Sequence, residues 1–372
     1  MLYFKITTKE IYHYLRYRII VDVEKKHGTV KISIAVSVIL SIAIILVILK
    51  LTISHTTLEY LTVNKIQYEY FLAAIFLNIM YWFLWGTRLK MLCTAVDKKM
   101  RMGIWGSTKI VLANLFLAGI TPSMAGGEPV RIYLLNKNGM SIGGATAAVL
   151  GERLLDAMFI LICIPFAFFV FKNHIDVELI RTGLSIGVIV FVACIILFVY
   201  AIKNPDKTKS FLIFLESKLR RFFRRRIDMK KVVDRINREV DDFNKSMKFF
   251  AKKGRKTFLL CGVLTVLFWS TGFMIPSMIL LGLGLDPFIV ESYSAQVLLL
   301  VIVMMPTTPG SSGITEGSVA GLYSVLIGRN LIGVFVLLFR LITYYMNLIV
   351  GAIFQYKIFR SVASFSLDMI KK

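Results

Sequence analysis

The sequence predicts an all-α polytopic membrane protein with about six full transmembrane helices and two broken re-entrant helical hairpins. Three observations carry that prediction. Of the 372 residues 57% are hydrophobic, above the usual share of a soluble domain, and they gather in runs long enough to span a bilayer. Lys and Arg alternate between rich and poor loops. Two further apolar segments are interrupted by Pro and Gly at a density that ends a helix.

Residues 1–30 are mixed and basic, lack a cleavable signal pattern, and read as an amphipathic segment at the cytoplasmic face. A first membrane half, 31–202, holds apolar runs near 31–50, 68–88, 145–171 and 182–202. None alternates as a barrel strand would, so helix is the spanning form. Within this half, 104–140 is the first hairpin. Its apolar arm Ile110–Ile120 breaks over 121–129, at Pro122, Gly126 and Gly127, and resumes at Val130–Leu135. Residues 203–256 form a basic loop with two helical stripes. One is Met229, Val233, Ile236, Val240, Phe243, Met247 and Phe250; the other is Phe211, Leu215, Leu219 and Phe222, beside Arg220, Arg221, Arg224, Arg225 and Arg226. The second membrane half, 257–356, has spans at 257–284 and 331–356 around a second hairpin, 294–328. There Val297–Met305 breaks at Pro306, Pro309, Gly310 and Gly313. Residues 357–372 form a tail.

Charge sets the expected orientation. Segments 1–31, 88–109, 203–256 and 357–372 carry 7, 6, 19 and 4 Lys or Arg, whereas 50–67, 172–181 and 284–293 carry 2, 2 and none. This positive-inside pattern predicts a multi-pass protein of the cell membrane with both termini in the cytoplasm. The first hairpin then inserts from the cytoplasm and the second from outside, and their similar breaks suggest an inverted repeat. A net charge of +23 could also mean nucleic acid, but the aromatics of the basic loop fall on its apolar stripe and leave no stacking platform. Anionic lipid head groups are the expected partner of that loop.

Charged residues at membrane depth cost about 2.5–3.5 kcal/mol each on insertion scales, so they are usually paired and functional. Glu128 and Arg131 lie at the first break, Glu316 at the second, and Glu152, Arg153 and Asp156 near the start of the 145–171 span. The last three could be only an interfacial anchor. Arg340, nine residues into the last span, lies roughly 13 Å deep and needs a carboxylate or an anion, with Glu316 the first candidate and Glu128 the second. Tyr344, Tyr345 and Asn347 continue its polar streak, as Asn78, Trp82, Trp85 and Arg88 do on the second span. Freed backbone N–H groups at the breaks with Arg131, Arg153 and Arg340 nearby make a phosphate site. There is no Walker A pattern and no nucleophile elbow. The four cysteines lie in or beside apolar runs and the four histidines are scattered, so neither metal nor cofactor is expected.

At these residues the chain resembles a known family. Residues 120–135, ITPSMAGGEPVRIYLL, and 147–156, AAVLGERLLD, resemble the paired GE..R and ER..D signatures of the lysylphosphatidylglycerol synthase transmembrane-region family. Residues 306–316, PTTPGSSGITE, resemble its P..PGG.G..E signature, with Ser311 where the family has Gly. The resemblance covers about 30–360 and implies a flippase-like domain that binds or translocates a phospholipid, a lipid-linked sugar or a polyprenyl phosphate. In that reading the hairpins line a cavity near the midplane. Arg131, Arg153 and Arg340 take the phosphate there, and Glu128, Glu152, Asp156 and Glu316 are their charge partners. No aminoacyltransferase domain follows in these 372 residues, so a stand-alone member that does not itself make lysyl-lipid is expected, more transporter than enzyme. Two other functions stay open. One is a membrane enzyme, or partner of a cytoplasmic enzyme, in lipid or glycolipid modification; the other is a scaffold recruiting a cytoplasmic protein. A homodimer is compatible with either.

Overall fold

The computed structural model describes residues 66–121, 127–171, 204–223, 229–251, 254–303 and 311–354, with isolated positions within 43–50 and 189–203. The predicted spans 31–50 and 182–202 lie largely outside the described residues, and segments 1–30 and 357–372 wholly so. So do Pro122, Gly126, Pro309 and Gly310 at the breaks.

The described chain is helical throughout: α1 (Tyr68–Val96), α2 (Ile104–Ile120), α3 (Gly127–Lys137), α4 (Ile142–Phe171), α5 (Pro205–Phe223), α6 (Met229–Ala251), α7 (Arg255–Gly282), α8 (Ile289–Val303), α9 (Ile314–Tyr323) and α10 (Ile332–Phe354). Among them α1, α4, α7 and α10 are long and apolar enough to cross a membrane. Each shows an inward and an outward face. On α1 Asn78, Trp82, Trp85, Leu89 and Leu92 are buried, at alternating steps of four and three, while Leu72, Phe76 and Phe83 point outward. Met158, Ile162, Phe166 and Phe169 do the same on α4, and Leu259, Val263 and Val266 on α7. Water would not tolerate these outer stripes; a hydrocarbon solvent does.

α2 and α8 are shorter, at 17 and 15 residues, and each is followed by a break and a short return helix, α3 or α9. α2 stops where Thr121 turns extended (φ −111°, ψ 149°), because the residue before a proline is pushed out of the helical region. α3 carries Glu128 and Pro129 in its first turn, where a carboxylate meets the helix dipole and a missing N–H costs nothing. Ser141 caps α4, its Oγ accepting from Gly144 N–H at 3.1 Å. The arms of the second hairpin are tied by Tyr323, whose hydroxyl accepts from Gln296 Nε2 at 3.1 Å and donates to Ser292 O at 3.4 Å.

Before α9, Gly313 has φ +91° and Ser311 has φ +52°. The first is a glycine conformation. The second puts a side chain in the left-handed region at the position where the resemblance expects Gly, and leaves the buried Ser311 Oγ with no partner among the described residues. Ser311→Gly relieves both and is expected to raise stability by about 1 kcal/mol, read as a higher midpoint of thermal unfolding in detergent.

Close helix approach depends on two glycines. A Cβ on Gly86 of α1 would strike the backbone of Thr108 on α2, and one on Gly351 of α10 would meet Leu112 O and Phe116 of the same helix. α2 is thereby held between α1 and α10. α1 also packs along α7, α4 along α8, and α10 against α7 and α9. The core has two main parts. One gathers the far halves of α4 and α7 with α8, α9 and α10; the other surrounds Trp85, Leu89 and Leu135 with α1 to α4 and Phe268 of α7. α5 and α6 pair as a helical hairpin, joined by Lys209 Nζ to Asp241 Oδ1 at 2.6 Å. The stripe on α6 is the packing face: Val240 and Met247 are buried, and Met247 enters the second core beside α4.

Candidate functional site

Two groups of ionised side chains lie inside the helices. The first is centred on α4, where Glu152 and Asp156 are one turn apart and therefore on one face. Both are buried, at 0% and 3% exposure, ten or more residues into the helix. The burial of Glu152 and Asp156 sets them facing protein, with Arg153 at the edge. α1 brings Arg88 between them: Nε donates to Glu152 Oε1 at 3.2 Å, and Nη1 to Asp156 Oδ1 at 2.6 Å and Thr265 Oγ1 at 2.9 Å. α3 brings Arg131, whose Nη1 pairs with Glu152 Oε2. Trp269 Nε1 on α7 donates to Asp156 Oδ1 at 3.0 Å.

Arg153 sits at the accessible edge, its side chain 38% exposed. Its Nη2 pairs with Glu128 Oε1 at 2.8 Å and its Nη1 with Asp156 Oδ2 at 3.3 Å. The Trp85 ring lies beside Arg131 and Arg153, at 5.3 and 5.9 Å, and Phe268 lies 4.7 Å from Arg88. Arg131 is fully buried, yet among the described residues its Nε and Nη2 have no partner, and neither does Arg153 Nε. A guanidinium has five donors, and here several of them point at no acceptor.

The second group surrounds Arg340, 2% exposed. Its Nη2 pairs with Glu316 Oε1 at 2.9 Å and reaches Ser312 Oγ at 3.4 Å, and its guanidinium lies 3.9 Å from the Tyr344 ring. Glu316 has a second task, accepting the Gly313 N–H at 2.6 Å with Oε2 and so holding the start of α9. Immediately after Arg340 the helix widens into a π turn, Leu341–Tyr345. Such turns free a carbonyl and cluster at functional sites. Ile342 O is taken by Asn78 Nδ2 at 2.9 Å, while Asn347 Oδ1 accepts from Trp82 Nε1 at 2.8 Å. Tyr344 Oη donates to Gly119 O at 3.1 Å, at the end of α2. Residues 340–344 thus touch the flanks of both breaks, Gly119 before the first and Ser312 and Glu316 after the second.

The structure places the three arginines read from the sequence in two groups, Arg131 with Arg153 and Arg340 apart with Glu316. Glu128, Glu152 and Asp156 belong to the first group. Gly127 and Gly313 stand at the starts of α3 and α9, and Gly127 packs so closely on Asn114 that a Cβ would overlap it. The sequence does not assign Arg88 to the site, although it is as fully buried as Arg131. Its signal was the streak Asn78, Trp82, Trp85 and Arg88 on one face of α1. Among the described residues no three His, Cys, Asp or Glu side chains gather as metal ligands.

The profile of the lysylphosphatidylglycerol synthase TM region matches residues 34–351, nearly the whole chain. The chain belongs to this family. A UPF0104 membrane protein of Archaeoglobus fulgidus is 33% identical over 327 residues, covering 86% of this chain and 94% of that protein. A UPF0104 membrane protein of Methanothermobacter thermautotrophicus is 26% identical over 296 residues, 76% of this chain and 82% of its own. No solved structure matches the chain significantly. The family match runs from before α1 to within three residues of the end of α10. Both ion-pair groups therefore lie inside the lysylphosphatidylglycerol synthase TM region, in a multi-pass membrane protein.

Proposed function

We propose that this protein binds a phosphate-bearing lipid and carries it between leaflets, with Arg153 and Arg131 as the head-group site and Arg340 as a second station. One observation carries the reading: a fully buried guanidinium, Arg131, keeps two donor nitrogens without a partner among the described residues, behind a partly exposed arginine. A phosphate oxygen matches that geometry, since guanidinium forks bind tetrahedral oxyanions through two parallel N–H bonds. The carboxylates hold the cations in place and can be exchanged for phosphate oxygens, while acyl or prenyl chains stay in the hydrocarbon. The head group is a phospholipid, a lipid-linked sugar or a polyprenyl phosphate.

The test is dithionite quenching of a fluorescent phospholipid in proteoliposomes, repeated with a fluorescent polyprenyl phosphate. Wild-type protein is expected to speed loss of inner-leaflet fluorescence. Arg153→Ala and Arg340→Ala are each expected to slow it at least about tenfold, the loss of one charge-assisted contact of about 1.5–3 kcal/mol. Rates equal to protein-free vesicles with both lipids overturn the proposal. A scaffold role for 203–256 fits less well, because α6 spends its apolar face on α4.

A further inference from the structure

Six ionised side chains make up the first group: Arg88 from α1, Glu128 and Arg131 from α3, and Glu152, Arg153 and Asp156 from α4. Three are cations and three are anions, so the group is electrically closed. Among the described residues the other titratable side chains packed around it are Tyr81 and Cys93 of α1 and Cys261 of α7, none of which carries a charge at its ordinary pKa near pH 7. α7 otherwise offers Thr265 and Trp269, and α6 the apolar Met247 and Phe243; Arg255 and Lys256 at the start of α7 are exposed.

A phosphodiester lipid brings one negative charge into this balanced, largely buried set. An uncompensated charge in a low-dielectric site is strongly disfavoured, and a group that can change its protonation does so instead. The three carboxylates differ in what holds them. Glu152 is shared by Arg88 and Arg131, and Asp156 by Arg88 and Arg153 with Trp269 donating as well. Glu128 has one ion pair among the described residues, to Arg153, and its side chain is 32% exposed. Arg153 is also the cation a head group meets first. A phosphate that takes Arg153 Nη2 therefore displaces Glu128 and leaves it beside a new anion with no cation of its own.

We propose that lipid binding at this site is coupled to the uptake of one proton by Glu128, so that a monoanionic lipid and a proton bind as a neutral pair. This rests on the lipid-phosphate reading above and extends it to the driving force: a proton gradient across the membrane would then drive the lipid. The step is a proton transfer: a hydronium ion in the aqueous phase loses one O–H bond and becomes water as the displaced carboxylate gains one and becomes neutral.

The experiment is isothermal titration calorimetry of the detergent-solubilised full chain with dihexanoyl phosphatidylglycerol, in two buffers of different ionisation enthalpy, between about pH 6 and pH 8. This phosphodiester keeps a single charge across that range, so any proton exchange belongs to the protein. Wild type is expected to take up about one proton per lipid, with Kd weakening up to about tenfold per pH unit at the alkaline end. Glu128→Gln, which is neutral at every pH, is expected to bind with no proton uptake and a flat pH profile; Glu128→Asp is expected to keep the uptake. Wild-type binding without proton uptake overturns the coupling and leaves the lipid-phosphate reading standing. Uptake that persists in Glu128→Gln overturns the assignment to Glu128. No binding by wild type at any pH overturns the lipid-phosphate reading itself, and the coupling with it.

Discussion

Arg88→Met is expected to lower the stability of the folded protein by about 3–5 kcal/mol, the usual cost of stranding a buried charge. Arg88 is fully buried and serves two carboxylates that are themselves buried. Without it, Arg131 still holds Glu152 and Arg153 still holds Asp156, but the set carries one surplus negative charge with no water to screen it. Adding Asp156→Asn to Arg88→Met removes that surplus and is expected to restore more than half of the loss, since neutral replacements of a buried pair often come near to the original stability. Arg153→Met, at the exposed edge, is expected to cost at most about 1 kcal/mol. The readout is maleimide labelling of Cys93 and Cys261 on heating, in a chain whose Cys163 and Cys194 are Ala. Both reporters are fully buried in the core around Arg88, so they label only when that core opens. Equal midpoints for Arg88→Met and Arg153→Met would show that burial does not set the cost here.

Much of this arrangement is legible in the residues alone, for reasons that differ by element. α1, α4, α7 and α10 follow from apolar length, which a bilayer makes almost sufficient. The ends of α2 and α8 follow from Pro and Gly clustered at 121–129 and 306–313, whereas the single prolines Pro165 and Pro276 stay inside α4 and α7. The pairing of Arg340 with Glu316 follows from the expense of an isolated charge at depth, and the structure gives it at 2.9 Å. Other features depend on long-range packing that no local pattern encodes. The division of the arginines into two groups depends on which helix faces which, and α3 packs against α4 rather than reaching α10. In the sequence Arg88 is one end of the polar streak Asn78, Trp82 and Trp85, and a residue near a span's end can reach the interface by its own length. Only the close contact of α1 with α4 and α7 encloses it. The π turn at Leu341–Tyr345 has no Pro or Gly to announce it; its freed carbonyl is satisfied by Asn78, 264 residues away in the chain.

The Glu316–Arg340 pair predicts a separation of fold from function. Glu316 binds two donors at once, the Gly313 N–H with one oxygen and Arg340 with the other. Glu316→Gln keeps an acceptor for Gly313 but turns an amide N–H toward a guanidinium, leaving the Arg340 charge buried and unbalanced. Arg340→Met does the converse and takes the cation away from the buried Glu316 carboxylate. Each single substitution is expected to cost about 3–5 kcal/mol. The double variant Glu316→Gln/Arg340→Met removes both charges, keeps the cap on α9 and fills the space of the arginine stem. It is expected to be more stable than either single variant, so the interaction energy in the double-mutant cycle exceeds the cost of one single substitution, about 3–5 kcal/mol, read from unfolding midpoints in detergent. If Arg340 also receives lipid phosphate, the rescue stops at stability. The double variant folds like wild type, yet in proteoliposomes its lipid translocation stays as slow as that of Arg340→Ala. Recovery of both stability and translocation would instead make the pair a structural tie between the second hairpin and α10, and would confine phosphate binding to Arg131 and Arg153.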